Sequence, residues 1–194
     1  MIYLIRHGRT SQNREKRLQG RSDLPLDETG EEQSRRLGDF FRASGVRFDR
    51  VISSPLNRAV QTARLAIGED LPIETDMRLI EMDYGPYEGM DLRDPAPEVL
   101  TFFSDFVHNA APPGMEPLAD VTARLGALLE ELRREAAQRT ILLSTHAIAL
   151  KGALEYLDPD SSGAWWSRTI GNCAVFRTES APDGFTVPVR IETE

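Results

Sequence analysis

Three short apolar runs constrain what this chain can fold into more than any other feature. Ile2-Tyr3-Leu4-Ile5, Val51-Ile52 and Ile141-Leu142-Leu143 are too short for helices and rich in β-branched residues, so they read as buried strands. Each ends in polar residues: Arg6-His7-Gly8, Ser53-Ser54-Pro55-Leu56-Asn57-Arg58, and Ser144-Thr145-His146. Helical patterns lie between them, and strands alternating with helices specify a layered α/β domain. In open sheets of that kind, ligands bind beyond the carboxyl ends of the strands. A cation, an imidazole and a glycine at such an end point to a phosphate-handling site.

The remaining punctuation fills in this frame. Residues 2–6 are the first strand, and 8–28 read as a polar loop broken by Pro25. Thr29-Gly30-Glu31-Glu32 has the pattern of a capping box. It predicts a helix with Leu37, Phe40 and Phe41 on one face and a stop at Gly45. Residues 49–53 predict a strand, and Ser53 or Ser54 can cap the next helix, with Pro55 in its first turn and its end near 67. A short strand fits 73–75. Residues 81–117 are rich in Gly and Pro, with a short helix near 96–107; this stretch reads as an insertion over the sheet's active edge, too short to bury its own core. Val121, Leu125, Leu128, Leu129, Leu132 and Ala136 mark an amphipathic helix within 118–137. Strand 140–144, helix 147–157 ended by Asp158-Pro159, and strands 173–178 and 185–191 follow, the last at an edge because of Pro188. The 194 residues form one domain on this reading, 1–194, with the insertion inside it.

Charge narrows the partners. The net charge of −8 argues against nucleic acid and anionic membrane, though a local Arg cluster can still bind a small anion. Only Lys16 and Lys151 are lysines, so a surface Arg carries little information here. The single Cys173 excludes an internal disulfide and a cysteine zinc site, and reads as core. No leader and no apolar run of membrane-spanning length are visible, which makes a cytoplasmic location the default expectation.

A phosphoryl group moves to histidine only if the imidazole nitrogen is neutral. Nearby Arg side chains favour that state and neutralise phosphoryl oxygens. Arg6 and His7 point to opposite sides of a strand and converge only if the chain turns, which Gly8 permits. His7 and His146 could instead be metal ligands, but no close His pair and no Cys cluster supports that.

The string Leu4-Ile5-Arg6-His7-Gly8-Arg9-Thr10 resembles the signature of the histidine phosphatase superfamily, which includes the cofactor-dependent phosphoglycerate mutases. The resemblance continues through Asn13, Arg17-Leu18-Gln19-Gly20, Asp23, Pro25-Leu26 and Thr29-Gly30. It extends through Ser53-Ser54-Pro55-Leu56-Asn57-Arg58-Ala59-Val60-Gln61-Thr62-Ala63 and Leu79-Ile80-Glu81-Met82-Asp83-Tyr84-Gly85-Pro86-Tyr87-Glu88-Gly89, then Ser144-Thr145-His146. Ordered blocks of this kind are specific where one alone is weak. The resemblance implies a three-layer α/β/α fold with a mainly parallel sheet. It also implies metal-independent phosphate-ester hydrolysis with no cofactor. His7 would be the nucleophile. Arg6, Arg58 and His146 would hold phosphoryl oxygens, with Asn13, Gln19 and the Ala147 backbone assisting. Glu81 would donate a proton and then activate water. Asp83 and Glu88 share its loop; Glu88 reads as a brace.

Three positions depart from the family pattern: Arg9 adds a cation, Ala147 replaces the usual Gly, and Pro117 removes a hydroxyl and a backbone donor. Arg93 is the only Arg or Lys in 86–117, against Glu88, Asp91, Asp94, Glu98, Asp105 and Glu116. Such a lid repels a second strong anion, which favours hydrolysis of a small-molecule phosphomonoester with a less acidic distal part over mutase chemistry. Inorganic phosphate would be the product. Tyr84, Tyr87 and the phenylalanines either contact an apolar substrate group or form the insertion's core. Arg9, Arg14, Lys16, Arg17 and Arg21 keep a second anion in play. A phosphoglycerate mutase, a catalytically silent phosphate-binding module and a homodimer are left open.

Overall fold

A computed structural model describes residues 1–69 and 71–193. Strand β1 (Ile2–Arg6) sets the layering, because its alternate side chains enter two separate cores. Ile2 and Leu4 join the larger cluster, while Tyr3 and Ile5 join the smaller one. Ile2, Leu4 and Ile5 are fully buried, and each contributes about 1.5–3 kcal/mol by that burial.

The other strands are β2 (Arg50–Ser53), β3 (Ile73–Thr75), β4 (Ile141–Thr145), β5 (Val175–Thr178) and a hairpin of β6 (Ser180–Ala181) with β7 (Gly184–Phe185). The last is β8 (Val189–Ile191), at the sheet's edge. The six-stranded sheet has the order β3-β2-β4-β1-β5-β8. β1 and β2 run parallel to β4, and β3 parallel to β2, whereas β5 and β8 are antiparallel additions. The mainly parallel three-layer architecture is as expected.

Helices α2 (Glu28–Ala43) and α3 (Asn57–Ile67) cover the face that Tyr3 and Ile5 enter. Helices α5 (Leu118–Ala136) and α6 (Ala147–Leu157) cover the other. Short helices α1 (Ser11–Arg14), α4 (Pro97–Ser104) and α7 (Ala164–Ser167) lie in the connections. The chain leaves β1 for one face and β4 for the other, and these two strands are neighbours. A crevice therefore opens between their carboxyl ends.

Local details correct several expectations. The first loop contains α1, capped by Thr10. Asp27, not Thr29, caps α2: its side chain accepts from the Gly30 amide. Neither Ser53 nor Ser54 is the N-cap of α3, a position held by Leu56 without a side-chain cap. The insertion's helix stops at Ser104, and the Asp105 side chain accepts the Val107 and His108 amides beyond it. Strand β5 begins at Val175, because Cys173 adopts a left-handed backbone with φ 56°. Residues 185–191 form one arm of the hairpin and then the edge strand.

The insertion does not build a separate core. Met82, Tyr84, Val99, Phe102 and Met115 join the cluster formed by β1, α5 and α6. Gly8 acts through close approach rather than a special φ. A Cβ there would collide with the Gly30 carbonyl, and one on Gly30 with the Arg9 carbonyl. The first turn of α2 thus packs directly on the bend that follows His7. Gly30→Ala is expected to cost about 1–3 kcal/mol by overpacking, read from urea unfolding. Gly171→Ala, where a Cβ meets nothing within 4 Å, should stay within about 0.5 kcal/mol. Equal effects would contradict this account of the contact.

Candidate active site

Pairing of β1, β4 and β2 in register brings their ends together. Arg6 faces Thr145 and Ser53 faces Ser144, so His7, His146 and Ser54 are each the first residue beyond a neighbouring strand. Backbone bonds continue past the strands, from His7 N–H to the Thr145 carbonyl and from Ser54 N–H to the Ser144 carbonyl. The two imidazoles lie with ring centroids 5.2 Å apart, 3% and 0% exposed.

The tautomer of His7 follows from its partners. Nδ1 lies 2.7 Å from the Gly8 carbonyl oxygen, which can only accept, so Nδ1 carries the proton. Nε2 accepts from Arg58 Nε at 3.3 Å and holds the lone pair. Burial pushes the His7 pKa well below its ordinary value, and the charges of Arg6 and Arg58 push it further. His146 is depressed by burial first and then by Arg58. Both rings are therefore neutral at ordinary pH.

Arg58 is 0% exposed, and among the described residues it has no carboxylate as a hydrogen-bond partner. Its Nη1 donates to the Ser22 carbonyl at 2.7 Å and its Nη2 to the Gly20 carbonyl at 2.6 Å. Glu88 holds that loop in shape, accepting from the amides of Gly20, Arg21 and Ser22 and from the Ser22 hydroxyl. Asp23 accepts from the Asn57 amide and side chain, fixing the start of α3 and with it Arg58.

Other groups complete the pocket. Arg6 Nη1 donates to the Ile170 carbonyl at 2.5 Å. His146 Nε2 lies 2.7 Å from Ser54 Oγ. Gln19 Oε1 accepts from Thr10 Oγ1 and Asn13 Nδ2. Arg6 Nε, Gln19 Nε2 and His146 Nδ1 are buried nitrogens without a partner among the described residues. Three buried polar atoms of this kind, beside two guanidinium groups, suit an oxyanion. The Ala147 amide is the first of α6, where no intrahelical acceptor exists and the helix dipole favours negative charge.

Glu81 is 2% exposed, and its carboxylate accepts from the amides of Met82 (2.9 Å), Ile148 (3.2 Å) and Ala149 (3.0 Å). It thus shares the start of α6 with Ala147. Its loop is held by Arg124, whose Nη1 donates to the Arg78 and Ile80 carbonyls, and by Thr145 Oγ1 on the Leu79 carbonyl. Glu116 pairs with Arg124 at 2.8 Å and accepts from the Asp83 amide. Pro117 stands at the N-cap of α5, beside this brace. Asp83 pairs with Arg21 at 3.1 Å on the exposed side.

The cation departure at Arg9 is absorbed locally: its guanidinium binds Asp27 and the Thr29 hydroxyl. Arg14 and Arg17 pair with Glu15, and Arg21 with Asp83 and Glu116. Among the described residues, no group of three or more His, Cys, Asp or Glu is placed to hold a metal ion. Sequence reasoning missed Asn172, whose Nδ2 donates to the His7 carbonyl and to Asn13 Oδ1, and it missed Ser54 as the partner of His146. Asn172 sits in a short Gly-Asn-Cys turn that carries no pattern; Ser54 was visible but read as a helix cap.

The depressed imidazoles link pH to stability. Below about pH 6.5 an unfolded histidine takes up a proton that buried His7 and His146 refuse. Stability is therefore full above that pH and falls as pH drops through 6.5 toward the folded values. Urea unfolding between pH 7.5 and 5.5, without phosphate, should show this decline, and His7→Gln should reduce its slope. An unchanged slope in the variant would contradict the burial of a neutral His7.

Comparison with known proteins identifies the family. Residues 2–192 match the model of the histidine phosphatase superfamily, branch 1. The chain is 31% identical over 174 residues to PhoE of Bacillus subtilis, described as an uncharacterized phosphatase, covering 89% of this chain and 84% of that one. It is 34% identical over 186 residues to GpmB of Salmonella typhi, described as a probable phosphoglycerate mutase, covering 92% and 84%. The crystal structure of a putative α-ribazole-5′-P phosphatase from Escherichia coli superposes with a TM-score of 0.84 at 26% identity, covering 99% and 96% of the two chains. No helix among the described residues is long and apolar enough to cross a membrane. A buried His pair at the carboxyl ends of β1 and β4, flanked by Arg6 and the fully buried Arg58, with a matching family model over nearly the whole chain, places this protein in the histidine phosphatase superfamily.

Proposed function

We propose that the chain hydrolyses a small-molecule phosphomonoester through a phosphohistidine on His7. The observation that carries this reading is the His7 tautomer: Nδ1 is committed to the Gly8 carbonyl, which leaves the Nε2 lone pair toward Arg58. The lone pair attacks phosphorus, the bond to the ester oxygen breaks, and the alcohol leaves with a proton. Water then attacks the phosphohistidine, the P–N bond breaks, and inorganic phosphate departs with His7 restored. Arg6, Arg58, Gln19, Asn13, His146 and the Ala147 amide hold the phosphoryl oxygens, whose charge grows in the transition state.

Glu81 supplies the proton and later activates water. In the present arrangement its oxygens accept three amide bonds, so donation requires it to release at least one of them. For a good leaving group, the proton of a substrate monoanion suffices. No step requires a metal or an organic cofactor. Mutase chemistry is disfavoured because Arg93, the insertion's single arginine, is bound to Asp91.

Phosphate release should persist in chelator. His7→Ala should abolish it by about 10⁴-fold or more. Glu81→Gln should slow an alkyl ester by about 10²–10⁴-fold and an aryl ester much less. A trapped phosphoenzyme that survives acid, as a P–N bond on His7 would not, or equal slowing of both esters in Glu81→Gln, would contradict these roles. Interconversion of phosphoglycerates without phosphate release would identify a mutase.

A further inference from the structure

Beside the phosphate site lies a cavity of about 640 Å³, lined by Phe103, Phe106 and His108 of the insertion, Lys151 of α6, and Trp166 and Arg168. That volume is in the range of small-molecule sites. The cavity adjoins the catalytic centre in two ways. Thr169 lines it, and the carbonyl of the next residue, Ile170, binds Arg6. Lys151 lies one helical turn beyond Ala147, on the same side of α6.

Lys151 is unusual in its surroundings. Its Nζ donates to the Trp166 carbonyl at 2.6 Å and lies 5.1 Å from the centre of the Phe106 ring. An ammonium has three N–H donors, and the carbonyl uses one. Burial lowers its pKa to about 8, with Glu81 raising and Arg6 lowering it, so it is mostly charged at neutral pH. A half-buried cation held by one ring face and one neutral acceptor costs stability that a Met of similar length would not. Arg168 lies 4.1 Å above the Trp165 ring and adds a second positive charge at the rim. Asp105, the acid lining the cavity, is bound to His108 at 2.8 Å.

Resting on the phosphatase reading, we infer that this cavity receives the leaving alcohol and that Lys151 selects phosphomonoesters whose alcohol part carries a carboxylate on an apolar or planar body. A single ammonium with two free donors suits one monoanionic group, and the phenylalanine and tryptophan rings suit the body that bears it. A second phosphate is a dianion, more charge than one ammonium balances. The selecting cation comes from α6, outside both the insertion and the first loop.

The test uses 4-carboxyphenyl phosphate and 4-carbamoylphenyl phosphate, esters alike in size and differing in charge. The wild type should prefer the carboxylate in kcat/KM. Lys151→Met should reduce that preference by about tenfold or more, through KM, the scale of one charge-assisted hydrogen bond. Lys151→Arg should restore most of it. No preference in the wild type, or a preference unchanged in Lys151→Met, overturns the inference. Calorimetric binding of 4-carboxybenzylphosphonate and its carbamoyl analogue reads the same selectivity without turnover. Absence of hydrolysis of every ester with Lys151-dependent phosphonate selectivity intact would sink the phosphatase reading alone; loss of that selectivity sinks the subsite.

Discussion

The site depends on one buried cation. The Arg58 guanidinium is fully enclosed, yet its partners are two backbone carbonyls and an imidazole, all neutral. A guanidinium cannot shed its proton to relieve that cost, so the surrounding chain must supply dipoles in fixed positions. Gly20 and Ser22 supply them, and Glu88 holds those residues through four donors. The charge is solvated but not cancelled. An arriving phosphate provides the first full negative charge in direct contact with it.

The same constraint sets the state of His7. Arg58 donates to Nε2, and its positive field, with that of Arg6 and the effect of burial, keeps the ring neutral. The Gly8 carbonyl decides which nitrogen holds the proton. Packing of Gly8 on Gly30 and the Asn172 bond to the His7 carbonyl fix that bend. Nucleophile, tautomer and cation are therefore one unit, positioned by parallel pairing of β1, β2 and β4. On the opposite wall, Glu81 and the phosphate subsite draw on the same helix terminus. Glu81 occupies the Ile148 and Ala149 amides and leaves Ala147 to the substrate side.

Much of this was legible in the sequence because strand ends are marked by abrupt changes from apolar to polar residues. Arg6, His7 and His146 stand at such changes, and the sheet register brings them together, while Arg58 follows β2 in the first turn of α3. The caps were less legible. Thr29 and Asp27 are both competent N-cap residues two positions apart, and only the Gly30 amide decides between them. Cation exposure was also hidden: Arg9, Arg14, Arg17 and Arg21 read as a basic cluster, but each has a carboxylate partner distant or adjacent in sequence. Asn172 and Lys151 make their contacts with residues more than ten positions away, which no local pattern announces.

The measurement that bears most directly on the central claim is the tautomer of His7 by nitrogen-15 NMR of histidine-labelled protein, without phosphate, from pH 5.5 to 8. The structure requires a protonated Nδ1 and a lone pair on Nε2 across that range, with no titration near 6.5. His7→Gln identifies the resonance. An Nε2-protonated ring, or an imidazolium forming near pH 6.5, would contradict the arrangement on which the site depends.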